Sequence, residues 1–440
     1  MKIGRIIFTI CMALLCGFGW FSQLTARSGL QEQYETSLEA ARDFEKRELY
    51  QRAIQSYEEV LALREEREVR EELLDVYAKA YESESVTSSA YKRALEDACS
   101  RYPKDADLWV CLIELDLDSF NYQNAYKILE RAQRAGASSE ALDTLGIQIR
   151  YAYTESSHVF AQFCSTASGY TTVYDGSRWG VMAPDGDWAY GCDYSYISPY
   201  GDEGVILRCT EDSVRLYDAK GIVLAILDDQ ISQARAYGSG LLPVLREDGW
   251  QYLDCESGAF LPESYEEASV FQQGTAAVLR NKNWTLIDTS GGQILEQTFS
   301  SIKLHSNGNY CRDGLFIAGV GEGWDIYQTD GKRVSEISAR DMDVFMGSYI
   351  AFQDSSGLWG FLNEEGEIVI EPRYQRARSF SGGLAAVFDG EYWGFINRSG
   401  ETVIANQFLE VGYFTGQGIC PVSTMDGQYH MLSLRFPEGR

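Results

Sequence analysis

The chain holds three histidines, His158, His305 and His430. None stands in the H-E-x-x-H or H-x-H spacing that turns two imidazoles toward one metal ion, so each reads as a surface or strand residue. There is no G-x-S-x-G elbow, no phosphate-cradling G-x-x-x-x-G-K-[ST] loop and no cysteine–histidine pairing by spacing. Carboxylates do come close in sequence at Glu364, Glu365 and Glu367, and again at Asp341 and Asp343. A glycosidase needs such a pair, one acid to protonate the leaving oxygen and one carboxylate as base or nucleophile. In a chain with 65 acidic residues such clusters arise from composition, and the glutamates surround a turn glycine. Asp185-Gly186, Asp330-Gly331 and Asp389-Gly390 lack the alternating acidic ligands of a calcium loop and read as turns. The ten cysteines form no C-x-x-C and read as buried free thiols, with Cys99–Cys111 the pair an oxidising compartment would join. No catalytic, cofactor-binding or metal-ligating residue is assigned, no cofactor is expected, and the chain reads as a non-enzyme.

What, then, do the residues build? The chain has 440 residues, 45% hydrophobic, with 28 Tyr, 20 Phe and 9 Trp. That supplies a large core and two or three domains. The net charge is −27, spread along the whole length. It argues against nucleic acid, whose phosphates would be repelled, and against lying flat on anionic lipid.

Residues 1–29 begin with Lys2 and Arg5 and continue uncharged from Ile6 to Ala26. As a helix that stretch spans about 31 Å, enough for a bilayer core. Leu24-Thr25-Ala26 and Leu15-Cys16 are poor cleavage or lipidation signals, so an uncleaved signal-anchor helix over 6–26 is expected, with secretion after cleavage as the alternative. The basic start places the N-terminus in the cytoplasm and the bulk of the chain outside, in a single-pass membrane protein.

Residues 30–155 change to Glu, Arg, Ala and Leu with a helical period. Ala41, Phe44, Ala53, Tyr57 and Val60 fall at spacings of 3, 9, 4 and 3, and Trp109, Leu112, Ile113, Ala125, Leu129 and Ala132 behave alike. Ala53 and Ala125 lie two 36-residue periods apart. Small residues at fixed places let paired helices approach closely, and pairs that cannot bury their apolar face alone stack. At these residues the segment resembles a tetratricopeptide-like array of about three helix pairs, although the usual Gly and Tyr are missing near Ile113 and Asp116. The resemblance implies a groove for a protein or peptide partner.

Residues 157–440 repeat a different unit. "GLWGFLNEEGEIVI" from Gly357 returns as "EYWGFINRSGETVI" from Glu391. The anchors Trp179, Val214, Trp250, Trp284, Trp324, Trp359, Trp393 and Tyr429 follow one another at 34 to 40 residues. Each unit has an apolar strand after Gly, a Trp strand, a Gly-containing turn, a β-branched strand and an aromatic–x–x–small–x–x–aromatic close, as at Tyr374, Ala377 and Phe380. Asn363 to Gly366 and Asn397 to Gly400 fit hairpin turns with left-handed Gly. The Trp rings pin neighbouring sheets, and Gly360 and Gly394 let a ring or backbone pass closely. Sugar stacking on a Trp row is the functional alternative. The unit from Trp284 to Trp324 carries about five extra residues, a longer loop around "LHSNGNYCRDG".

Leu358–Val387 resembles the bacterial WG-repeat family, whose units read Trp-Gly-aromatic-Ile-Asn, Gly, Ile-x-Pro-x-Tyr-x-x-Ala, then Phe-x-x-Gly-Leu-Ala-x-Val. The pattern is strong in the last two full units and decayed before them: Val214 has no Trp, and Trp250, Trp284 and Trp324 lack the following Gly. The resemblance implies repeats and an envelope or secreted setting. Strand-like residues at both ends of the array suggest a ring closed by both termini, hence a β-propeller of seven or eight blades. Units this short leave three-stranded blades or an open β-solenoid as the alternative. The expected fold is thus α+β and multidomain: a transmembrane helix, a helical array and an all-β repeat domain.

The function expected is a non-catalytic, membrane-anchored extracytoplasmic scaffold binding an unknown protein or peptide. A cell-wall or polysaccharide-binding protein is the alternative, and an envelope glycoside-acting enzyme with carboxylates in the channel the third. Rows of aromatic residues on the rim would favour the second, and paired acids in a cleft the third.

Overall fold

The computed structural model describes residues 29–437, apart from 202, 228–230, 322, 335–336 and 338. The chain divides into two compact units, Met1–Ile149 and Arg150–Arg440.

The first unit is helical. Helix α1 covers residues 29–46, followed by α2 Tyr50–Leu63, α3 Arg67–Glu82, α4 Ser88–Arg101, α5 Ala106–Asp118, α6 Tyr122–Ala135 and α7 Glu140–Arg150. Local chemistry sets several ends. Thr87 accepts from Ala90 N at the start of α4, Asn121 accepts from Asn124 N at the start of α6, and left-handed Gly136 ends α6. Ala53 and Ala125 are fully buried. Trp109 is buried, its indole N–H donating to Pro103 O at 2.9 Å.

The expected transmembrane helix requires correction. Among the described residues no helix is long and apolar enough to cross a membrane. Helices α2–α7 have 11 to 16 residues, fewer than the ~20 apolar residues a bilayer needs. The stretch 6–26 lies outside the described residues. The membrane helix therefore drops out of the fold class, and single-pass anchoring, with the placement of the chain's bulk outside the cell, loses its support.

The second unit is an eight-bladed β-propeller. Each anchor named above lies at the start of the third strand of one blade, so Trp179 marks blade 1 and Tyr429 blade 8. Blade 7 shows the full form: Arg376–Ala377, Ala385–Phe388, Trp393–Ile396 and Thr402–Phe408, antiparallel and in chain order. In blades 2 to 8 the innermost strand has two residues, from Tyr196–Ile197 through Glu410–Val411. This compression is how about 35 residues hold four strands.

The ring closes. In blade 8 the fourth strand comes from the beginning of the unit: Tyr153–Phe160 pairs antiparallel with Tyr429–Leu434, Tyr153 opposite Leu434 and Phe160 opposite Tyr429. Shared apolar clusters join neighbouring blades, among them Phe160, Val173, Met182, Ile419 and Met431 between blades 8 and 1. Phe395 meets Phe414 at 4.8 Å between blades 7 and 8. An open solenoid would leave its first and last sheets unpaired, and neither is.

Where a glycine follows Trp, it sets how closely the fourth strand crosses the third. A Cβ on Gly360 would sit 2.6 Å from Ile370 O, and one on Gly394 would sit 2.8 Å from Ile404 O. In these blades the outer strand bulges over the glycine, with one register shift across it and another just after the following Phe. In blades 3, 4 and 5 the residue is Gln251, Thr285 or Asp325, and the outer segment makes only isolated bridges, such as Trp250 with Tyr265 and Trp284 with Phe299.

Candidate functional site

The anchors themselves do not form a site. Trp250, Trp284 and Trp393 are buried, and Trp179, Trp324 and Trp359 are half-buried. They are distributed around the ring, packed against strands of their own or the next blade. Tyr429 packs on Phe160 and Phe163, at 5.8 and 5.2 Å, and lines a cavity of the channel.

What the ring brings together is a set of polar residues far apart in sequence. The channel holds two cavities that meet at Thr166, His305, Met346 and Tyr413. Tyr413 of blade 8 donates its hydroxyl to Asp343 of blade 6, at 2.8 and 2.7 Å from the two carboxylate oxygens. Asp343 also accepts from Ser379 N of blade 7 at 2.7 Å. His305 of blade 5 meets the Tyr413 ring edge-on at 5.5 Å, and its Nδ1 lies 3.0 Å from Asn307 Oδ1. Arg378 of blade 7 lies over the same tyrosine at 5.3 Å. Four blades thus build a polar septum.

Its electrostatics follow from burial. Desolvation pushes the Tyr413 hydroxyl well above its ordinary pKa, and the Asp343 charge adds to this, so Tyr413 stays a donor. Burial lowers His305 below its ordinary 6.5, partly opposed by Asn307 and Asp343. Burial works against the Arg378 charge, but Tyr413 and Asp343 outweigh it and its pKa is raised. Burial lifts Cys164, on the channel wall, to about 11, leaving it a thiol rather than a nucleophile.

The mouth cavity, about 470 Å³, lies where the inner strands end. Its walls include the long loop of blade 5, with Asn307, Asn309, Arg312 and Asp313, and turns from blades 1, 4, 6, 7 and 8. The loop is held firmly. Gln272 accepts from Tyr310 N and Cys311 N at 2.9 and 3.1 Å, Asn307 O accepts from Ala236 N at 3.0 Å, and Arg312 donates to Met346 O.

The paired acids noted in the sequence separate: Asp341 binds Lys303 at 2.8 Å, while Asp343 binds Tyr413. Glu367 lies in a hairpin turn, accepting from Asn363 Nδ2 at 3.0 Å. His158 lies by Trp188 and Asp187, and His430 by Asp426. Among the described residues no three His, Cys, Asp or Glu side chains converge to hold a metal ion. Cys99 and Cys111 are free, as are the six other described cysteines, while Cys11 and Cys16 lie outside the described residues. The channel residues carried one legible signal, the five-residue insertion in blade 5.

Residues 359–392 and 393–429 match the family model of the WG containing repeat. That stretch carries two WG containing repeats; it begins at the third strand of blade 6, takes in blade 7 and ends at the anchor of blade 8. No curated protein matches the chain. Similar solved structures share low identity with the chain. BamB from Moraxella catarrhalis is 15% identical, covering 64% of this chain and 100% of that one, with a TM-score of 0.41. Hsv2p from Kluyveromyces lactis is 10% identical, covering 54% and 92%, at 0.36. The WD40 propeller domain of Doa1 is 10% identical, covering 64% and 95%, at 0.33. Likeness at this level says nothing of ligands.

Proposed function

We propose that this is a non-catalytic binding protein whose propeller receives a loop or extended segment of a protein partner at the mouth cavity. The reading rests on one observation: loops from six blades converge on a cavity of about 470 Å³ rich in amide and hydroxyl side chains, with its longest loop tied to neighbouring blades. Hydrogen-bonding groups held in advance lose little freedom on binding and can satisfy a partner's backbone. The helical unit offers a second face, where Tyr77 stacks on Tyr91 at 6.4 Å. The glycan alternative draws no support from the repeated tryptophans, which are spent on packing.

Site-specific photo-crosslinking tests the proposal. A photoreactive residue at Asn309 or Gln417 should give a discrete protein adduct in cells, and one at Lys220 on the rim should not. Equal adducts at all three positions, or none at the mouth, would overturn it.

A further inference from the structure

Three blades place a cation immediately after the two-residue inner strand, over the tryptophan of the same blade. Arg235 lies 4.5 Å from the Trp250 ring centroid, Lys303 4.3 Å from Trp324, and Arg378 5.7 Å from Trp393. In the first two cases the next blade neutralises the cation with the first residue of its own inner strand. Glu267 pairs with Arg235, and Asp341 with Lys303. Glu410 occupies the same position in blade 8. It is exposed and accepts instead from the Tyr429 hydroxyl at 3.3 Å, and no carboxylate of the described residues forms an ion pair with Arg378. The Arg378 Nε is buried and has no hydrogen-bond partner. Both residues line the second cavity, about 420 Å³, with Phe163, Asp343, Met346, Tyr413 and Tyr429 among its walls, the Asp343 carboxylate being engaged by Tyr413 and Ser379 N.

We propose that this cavity is a carboxylate-binding site with Arg378 as its anchor. Arg378 is half-buried, its Nε has no partner and Asp343 offsets its charge without forming an ion pair; its planar fork matches a carboxylate in a way a lone lysine does not. The repeat itself supplies the comparison: two copies close this pairing internally, and the third leaves the cation facing a cavity. The volume admits an acidic side chain or a small free carboxylate, and Phe163, Leu304, Val344 and Met346 can meet its carbon skeleton in an otherwise polar lining. The site lies across the septum from the mouth cavity and does not rest on the partner-binding reading.

Calorimetric titration of the full chain at low salt tests it. The probes are acetyl-Ala-Glu-Ala-amide, its Gln counterpart, and glutarate. The Glu peptide, glutarate or both should bind, and the Gln peptide at least tenfold more weakly. Binding of glutarate alone identifies a free small carboxylate, and binding of the peptide a protein side chain. Arg378→Gln should weaken binding at least tenfold and Arg378→Lys by less. Glu410→Gln, which removes a competing charge without touching the anchor, should tighten it. Equal binding of the Glu and Gln peptides, unchanged binding in Arg378→Gln or Glu410→Gln, or no heat from either carboxylate probe at millimolar concentration would overturn the assignment.

Discussion

His305 connects a single proton to the stability of the ring. Its folded-state pKa lies below 6.5 because burial penalises the imidazolium. As pH falls below 6.5 the unfolded chain takes up the proton first, so stability drops until the folded value is passed and then levels. The groups facing it are Asp343, Tyr413 and Arg378. Denaturant melts of wild type and His305→Gln at pH 7.5 and 5.5 should show a larger acid loss in the wild type. Equal losses would mean that the ring is solvated in the folded protein. Tyr413→Phe removes a hydroxyl that the half-buried Asp343 carboxylate accepts from, and about 1–3 kcal/mol of stability should go with it.

A blade depends on how closely its third and fourth strands can cross. Gly360→Ala or Gly394→Ala pushes a methyl group into a backbone oxygen under 3 Å away and should cost about 1–3 kcal/mol by equilibrium unfolding. Gln251→Ala occupies the same place after Trp250, where the outer strand has already let go, and should cost under about 0.5 kcal/mol. Blade 2 has an exposed outer edge. Its outer strand, Val223–Leu227, exposes Leu224 and Ile226, the latter at 71%, on an edge open to pairing with another chain. Ile226→Lys should raise the concentration at which the protein aggregates and leave Tm within a degree or two. Legibility at this scale was uneven. The anchors and Asn–Gly turns marked the second-to-fourth strands, because alternation and turn chemistry are local. A two-residue inner strand offers no alternation to detect, so short units left the sheet count open.

At the scale of the molecule, ring closure creates what no segment contains. Cys164, His305, Asp343, Arg378 and Tyr413 are spread over some 250 residues of sequence and become neighbours only when blade 8 meets blade 1. Sequence spacing therefore paired Asp341 with Asp343, which the inner strand turns toward different partners. The membrane expectation failed differently: it rested on composition in a stretch outside the described residues, while the described helices are short and amphipathic. Closure also sets the stability of the whole. A chain beginning at Arg150 should melt in one calorimetric transition. One beginning at Gln162 loses the sealing strand and the buried Phe160, worth about 1.5–3 kcal/mol by burial alone, and should melt at least about 5 °C lower.

The sealing ladder has a mechanical consequence. Tyr153, where the chain enters the propeller, pairs with Leu434, next to where it leaves, and Arg435 N still donates to Ala152 O at 2.8 Å. A force pulling these two ends apart acts across the ladder rather than along it. Its hydrogen bonds then break one rung after another, as a zipper opens, instead of resisting together in shear. Tension between the helical unit and the C-terminus would thus open the ring at its seam at low load, before any other blade unfolds.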